Sequence, residues 1–403
     1  MIASLKNSTE QQAESGAAER AGSAWDKKII LYVIQTTCIF WLVTKLIGWK
    51  LWTTERLLPT APPFDFLTAP GLVHLLLFAA SLLLMAALIL KPASKGLLNA
   101  LFITELTACL FDQNRWQPWE YQFVFILFIY IINYKRQHFI ASGLTFVMIS
   151  TYAYSGVGKL NSSFLLMFWD NMLLHRYFKI PHTVISQPLI HYSGYLVAIA
   201  ELLLGLGLLF RASRKMAAAA LILMHLLIIV LVGPTGLNYN IVVWPWNILM
   251  MIHLYLLFIH KRALTINLQQ LWTSWNVLIV ICWGILPAFN HTVGWWDNFL
   301  SSRLFAGNQP HMEFCIKDSG EIKQLSPYLN KGKKNIGCDS NAVMVNLQRW
   351  AMKETKSPPY IEERVYKKIA RKWIQEHKGS STRAILFYYG KKGELIIVNE
   401  SEN

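Results

Sequence analysis

The chain has 403 residues, of which 54% are hydrophobic and 15% charged, well short of the roughly 25% charged residues in an ordinary globular domain. Its formal net charge of +15 does not point to nucleic acid, since neither a zinc-finger spacing nor an arginine-rich arm is present and much of the excess sits in short loops between apolar runs. Repeated runs close to the about 20 residues that cross a bilayer as helix exclude a water-soluble globular class. They predict a mainly α protein, a polytopic transmembrane bundle followed by a small α+β extramembrane domain.

Residues 1–28 are polar, balanced in charge and rich in Ser, Ala, Gln and Glu, the composition of a disordered leader. Residues 29–287 form the predicted membrane domain, with about nine spans at 29–48, 71–90, 97–111, 121–134, 138–157, 190–210, 216–233, 241–259 and 271–287. The segment 163–175 is too short to cross and carries Asp170 and His175, so it reads as a re-entrant or interfacial helix. With nine crossings, Lys27, Lys28, Lys91, Lys95, Lys135, Arg136, Arg211, Arg214, Lys215, Lys261 and Arg262 fall on one face. The positive-inside rule makes that face cytoplasmic. The N-terminus is then cytoplasmic, and the tail, residues 288–403, is periplasmic or extracellular.

In the tail, helical periodicity covers 341–353 and 359–378, the second with Ile361, Val365, Ile369 and Trp373 four apart. R-A-I-L-F-Y-Y-G followed by K-K-G-E-L-I-I-V reads as a hairpin. Cys38, Cys109 and Cys282 lie in predicted spans as packing residues. Cys315 and Cys338 are the two cysteines of the tail, and an exported tail allows them to pair.

The polar residues of the membrane domain gather at the non-cytoplasmic helix ends: D-Q-N-R-W-Q-P-W-E-Y at 112–121, Y-A-Y-S-G-V-G-K-L at 152–160, G-L-N-Y-N at 236–240 and V-W-P-W-N at 243–247. Glu105, Glu201 and His225 stand inside spans, where an ionisable group is expensive unless paired or wetted. Lys159 has two readings, a snorkelling helix-end lysine or a general base at the mouth of a pocket. Gly156 and Gly158 beside it admit a ligand or a helix closely, and Tyr152 lies seven residues back on its own helix face. His225 reads as a pocket residue or a helix–helix hydrogen bonder. The indoles Trp116, Trp119, Trp244 and Trp246 read as pocket residues or as interfacial anchors.

These motifs resemble the HTTM (horizontally transferred transmembrane) domain family, which includes the vitamin K-dependent gamma-glutamyl carboxylases. The carboxylase motif Y-F-I-A-G-V-K-K-L-D is matched by Tyr152, Gly156, Val157, Lys159 and Leu160. Its first lysine is Gly158 here and its final acid is Asn161. D-K-T-S-W-N-N-H-S-Y is matched at Asp112, Trp116 and Tyr121, with Trp119 in place of the histidine. A later stretch from a histidine to F-P-W is echoed by His225 and Trp244-Pro245-Trp246.

The resemblance covers roughly residues 29–287. It implies a membrane enzyme in which Lys159 is the base that deprotonates a reduced quinone (vitamin K hydroquinone or menaquinol), with O2 and CO2 as further reactants. Asp112 and His225 join it as catalytic residues. Trp116, Tyr121, Tyr152, Gly156, Asn238, Asn240, Trp244 and Trp246 are its expected cofactor contacts. No metal is expected, since no H-E-x-x-H or paired-cysteine ligand pattern occurs. The expected partners are membrane lipid, a lipid-soluble quinone and an exported peptide or protein substrate, in a bacterial inner membrane. The alternatives are a membrane quinone oxidoreductase without carboxylation and a non-catalytic scaffold displaying the tail.

Overall fold

A computed structural model describes residues 27–403 apart from 235, 261–266, 304, 308, 330–337, 340, 378–381, 389–395 and 399–403. Residues 1–26 of the leader, the bases Lys261 and Arg262 and the turn of the terminal hairpin therefore lie outside the described residues, and Lys27 and Lys28 open α1. Among the described residues, six helices are long and apolar enough to cross a membrane: α1 (Lys27–Ile47), α2 (Gly71–Leu90), α5 (Gln137–Gly158), α7 (Pro188–Gly207), α8 (Arg214–Val232) and α10 (Ser274–Val293). The protein is a largely helical, integral membrane protein.

The expectation of about nine spans is corrected to six. The segments at 97–111, 121–134 and 241–259 fold as α3 (Lys95–Leu110), α4 (Pro118–Ile132) and α9 (Val243–Ile259), of 16, 15 and 17 residues. At about 1.5 Å per residue, α3 and α4 reach about 24 Å and 22 Å, short of a hydrocarbon core about 30 Å thick. Their composition has another cause. Eleven residues of α4 are buried, from Pro118 through Tyr130, so it is apolar because it fills the middle of the bundle. In α2, by contrast, Leu72, Leu76, Leu83 and Leu90 are all more than half exposed, as lipid-facing residues are. Hydropathy alone does not separate the two environments.

The segment predicted as interfacial is α6 (Leu165–Tyr177), a helix of i→i+5 pattern, a geometry usually limited to single bulges near functional sites. Asn161 starts the short turn that leads into it, its side chain accepting from the Phe164 amide at 2.9 Å.

The tail is a four-stranded antiparallel sheet, ordered β2-β1-β3-β4, made of β1 (Pro310–Ile316), β2 (Val343–Asn346), β3 (Arg383–Tyr388) and β4 (Ile396–Val398). Helices α11 (Leu347–Thr355) and α12 (Glu363–Glu376) pack through Trp350 and Trp373, whose rings meet edge to face at 5.0 Å. The helix predicted from 341 begins later, because Val343–Asn346 pairs with Glu313–Ile316 of β1 and this long-range pairing overrides local periodicity. The terminal hairpin is present as the β3–β4 pair. Cys315 and Cys338 form a disulfide.

The tail docks on the membrane domain. Leu58 and Ala61, from the loop after α1, belong to the tail's own core. Glu354 accepts from the Leu57 and Leu58 amides at 2.7 and 2.9 Å, and Gln117 donates to the Pro358 carbonyl at 2.9 Å.

Candidate functional site

Glycine sets the geometry of the site. A Cβ on Gly156 of α5 would lie 2.6 Å from the Leu202 nitrogen and 2.8 Å from the Ala198 oxygen, and one on Gly205 would lie 2.8 Å from Tyr152 Cβ. Without them, α5 and α7 approach backbone to backbone, as small residues permit in membranes. That crossing carries Lys159, the residue that caps α5, to Glu201 of α7. The Lys159 ammonium donates to Glu201 Oε2 at 2.7 Å, to Ser155 Oγ at 2.6 Å and to the Ser155 carbonyl at 3.2 Å. Its side chain is only 11% exposed and that of Glu201 only 9%. The lysine therefore does not snorkel.

The ion pair opens on a cavity of about 210 Å³. Its walls include Phe164, Phe168, Trp169 and Met172 from the turn into α6 and α6 itself, Val197 from α7, and Met224 and Ile228 from α8. A second polar group lines the same cavity. Asn247 of α9 donates from Nδ2 to the Val243 carbonyl at 2.7 Å, which turns its Oδ1 toward His225 Nδ1, also at 2.7 Å. That acceptor assigns the proton to Nδ1, leaving Nε2 to accept from the Tyr152 hydroxyl at 2.7 Å. His225 is thus both a cavity residue and a helix–helix hydrogen bonder.

Of the residues expected from sequence, Lys159, Tyr152, His225 and Trp246 line this cavity. Trp246 donates to Gln122 at 2.6 Å. Gly156 contributes through the helix crossing. The others lie elsewhere. Asp112 is fully buried and builds a turn: it accepts from the Ala61 amide at 3.0 Å and from the Asn114 amide and side chain at 3.1 and 3.0 Å, and it pairs with Arg56. Burial opposes its ionisation, but Arg56 and Arg115 outweigh burial and hold its pKa below the ordinary carboxylate value.

Trp116 packs partly buried among the hydrophobic clusters. Tyr121 stacks on Trp283 at 5.0 Å and donates to the Cys282 carbonyl at 3.2 Å. Trp244 packs beside Gly233. Asn238 and Asn240 take left-handed backbone angles and line a groove against α11. Sequence reasoning named Glu201 as an anomaly without a partner and missed Ser155 and Asn247. The signal for Glu201 was its cost at mid-span; Asn247 gave none, sitting in an interface-like V-W-P-W-N run.

A second intramembrane ion pair has a different setting. Lys45 of α1 and Glu105 of α3 meet at 2.7 Å with side chains 1% and 0% exposed, and Ser81 donates to the same carboxylate. Among the described residues no group of three or more His, Cys, Asp or Glu side chains is arranged to hold a metal ion.

Comparison of the chain with protein-family models, with curated proteins and with solved structures found no match.

Proposed function

We propose that this is a bacterial inner-membrane enzyme that acts on a lipid-soluble reduced quinone, as the resemblance to the vitamin K-dependent gamma-glutamyl carboxylases implies. One observation carries the reading: the Lys159–Glu201 pair and the Tyr152–His225–Asn247 chain converge on a single apolar cavity. The donor set suits the group, with two hydrogen-bonding points in an otherwise aromatic and aliphatic wall. The size suits it too. A cavity of roughly 150 Å³ holds a benzene ring, so about 210 Å³ admits a one- or two-ring head. Val197 lines the cavity yet is 41% exposed, which gives an isoprenoid tail a path to Leu196, Leu203, Leu223 and Leu227, all exposed on α7 and α8.

When bound, a reduced quinone supplies electrons to O2. The chain's own residues position it and move its proton. The pair changes the base expected from sequence: an ammonium already hydrogen-bonded to a carboxylate has no lone pair to offer, so Glu201 accepts the proton at a carboxylate oxygen. Lys159 remains a cation beside the oxygen that gains charge, a fixed electrostatic stabiliser in a low-dielectric site. Tyr152 holds a second oxygen and relays through His225 Nε2. Water exclusion by the phenyl and indole walls strengthens each of these contacts.

A second reading, quinol oxidation without carboxylation, is favoured by Gly158 and Trp119, which stand where the carboxylase motifs have lysine and histidine. In the fuller reading, an exported peptide or protein presented by the tail would lose a C–H proton and take up CO2 in its place, with oxidation of the reduced quinone by O2 supplying the base that removes the proton. The Cys315–Cys338 disulfide supports a tail on the oxidising side. Six spans return the tail to the N-terminal side of the membrane, so an exported tail places the N-terminus on that side as well.

The test is menaquinol or vitamin K hydroquinone added to the full chain in nanodiscs. Binding is read by quenching of the Trp169 and Trp246 fluorescence, turnover by quinol absorbance. We expect E201Q and K159M to abolish turnover and Y152F to lower it about 10- to 100-fold. Wild-type protein that neither binds nor oxidises either quinol would refute the reading.

A further inference from the structure

The far end of the α5–α7 crossing, near the start of α5, holds a second cavity of about 390 Å³, lined by Thr145 and Ile149 of α5, Leu208, Leu209, Arg211 and Arg214, with Asn267 to Gln269 closing it. Among the described residues, two guanidinium groups line it and no carboxylate does. Arg214 is fixed there, because its Nε and Nη2 donate to the Leu208 and Leu209 carbonyls at 3.1 and 3.4 Å and so finish the end of α7. Arg211 is exposed at the rim.

Thr145 is the independent observation. It is 1% exposed, and its hydroxyl has no hydrogen-bond partner among the described residues. A threonine in a helix normally disposes of its hydroxyl on the carbonyl four residues earlier. Thr37, Thr44, Thr104, Thr107 and Thr151 all do so, at 2.7 to 2.8 Å. Thr145 does not, although a buried orphan hydroxyl costs about 1–3 kcal/mol. It lies eight residues from the start of α5, about 12 Å along the helix. The cavity therefore offers cations at one place and an unspent hydroxyl, beside Ile149, at another.

We propose that this cavity binds a phosphate ester, supplied as the head group of an anionic phospholipid, with the phosphate on Arg211 and Arg214 and a glycerol-ester carbonyl accepting from Thr145. A phospholipid carries both the anion and a carbonyl acceptor a short distance below it. Its acyl chains have an exposed apolar face to follow, with Leu203 60% and Phe210 63% exposed. Basic pockets between membrane helices take anionic head groups by this same combination.

The experiment is thermal unfolding of the full chain in neutral detergent, titrated separately with phosphatidylglycerol, phosphatidylcholine and inorganic phosphate. Phosphatidylglycerol should raise the midpoint, as a ligand of the native state does, and phosphatidylcholine should do so at least tenfold more weakly. R211Q should weaken the phosphatidylglycerol response about tenfold, the loss expected for a charge-assisted hydrogen bond.

T145V should weaken it a few-fold while leaving the lipid-free midpoint equal or higher, because it removes an orphan hydroxyl without opening a void. A merely structural threonine would not separate those two readouts. Lys215 is exposed and does not line the cavity, so K215Q should stay within twofold of wild type. Equal responses to the two lipids, an unchanged R211Q, or a K215Q loss matching that of R211Q would overturn the site. Inorganic phosphate reproducing the whole stabilisation, with the same variant dependence, would overturn the lipid as its source.

Discussion

Removing either partner of the Lys159–Glu201 pair should destabilise the protein, and the two removals should not cost the same. Breaking a fully buried pair costs about 3–5 kcal/mol, because the remaining charge is stranded. In E201Q the ammonium keeps both Ser155 acceptors and about a tenth of its surface in contact with the cavity, so about 2–3 kcal/mol is expected. In K159M the Glu201 carboxylate loses the donor at 2.7 Å and has no second hydrogen bond among the described residues, so the upper part of that range is expected. The double variant K159M/E201Q strands nothing. Its loss should fall below the sum of the single losses by about 2 kcal/mol or more, a coupling typical of groups in one buried network. Reversible unfolding of the full chain in mixed micelles, titrated with a denaturing detergent and read by tryptophan fluorescence, measures all four corners. Single losses that add to within about 0.5 kcal/mol would show that the pair is not coupled, and the electrostatic account of the site would fall with it.

G156A should cost about 1–3 kcal/mol, the range for overpacking, because its Cβ would meet Leu202 and Ala198 backbone atoms at 2.6 to 2.9 Å and no side chain can give way. G96A, with nothing within 4 Å, should instead stabilise by up to about 1 kcal/mol through helix propensity; equal effects in the same unfolding assay would refute the packing argument. In the tail, burial lifts the Glu362 carboxyl to about 7, against about 4.3 in an unfolded chain. The native state then holds a proton that the unfolded state has released, so this contribution to stability is greatest below about pH 4, declines between about 4.3 and 7 by up to about 4 kcal/mol, and is level above that. Unfolding midpoints from pH 4 to 8 should show this decline in wild type and not in E362Q; a wild-type curve flat or rising across that window would contradict it.

The legible part of the site was what lies close in sequence. Tyr152 and Lys159 share a helix face seven residues apart, and both line the cavity. Gly156 between them announced a close approach, which proves to be that of α7. The partner that defines the lysine's chemistry, Glu201, is 42 residues away, and only its cost inside a span marked it. Asp112 was misleading for a related reason: an acid at a helix end in a family-like motif reads as chemistry, while its pairing with Arg56 depends on where the loop after α1 runs. The three short helices were overcounted because an apolar run reports exclusion from water and not the agent that excludes it. In α4 that agent is protein. Local periodicity does not register β2, because its pairing with β1 crosses a loop closed by the Cys315–Cys338 bridge.

The two intramembrane ion pairs separate what charge does from what a site does. Lys45–Glu105 and Lys159–Glu201 have the same chemistry and the same 2.7 Å separation. The first is sealed: Lys45 also sits 2.8 Å from the centre of the Trp52 ring, and Ser81 occupies the other carboxylate oxygen. Nothing can reach it without displacing protein. The second keeps a tenth of each side chain open, on a cavity it shares with a tyrosine–histidine chain. Neither pair is required as a structural tie, since well-packed apolar side chains can match a buried ion pair in stability. A buried intramembrane pair that borders a cavity is intelligible as a group kept available for a ligand. A K159M/E201Q protein that folds nearly as well as wild type but no longer binds quinol would separate those two properties.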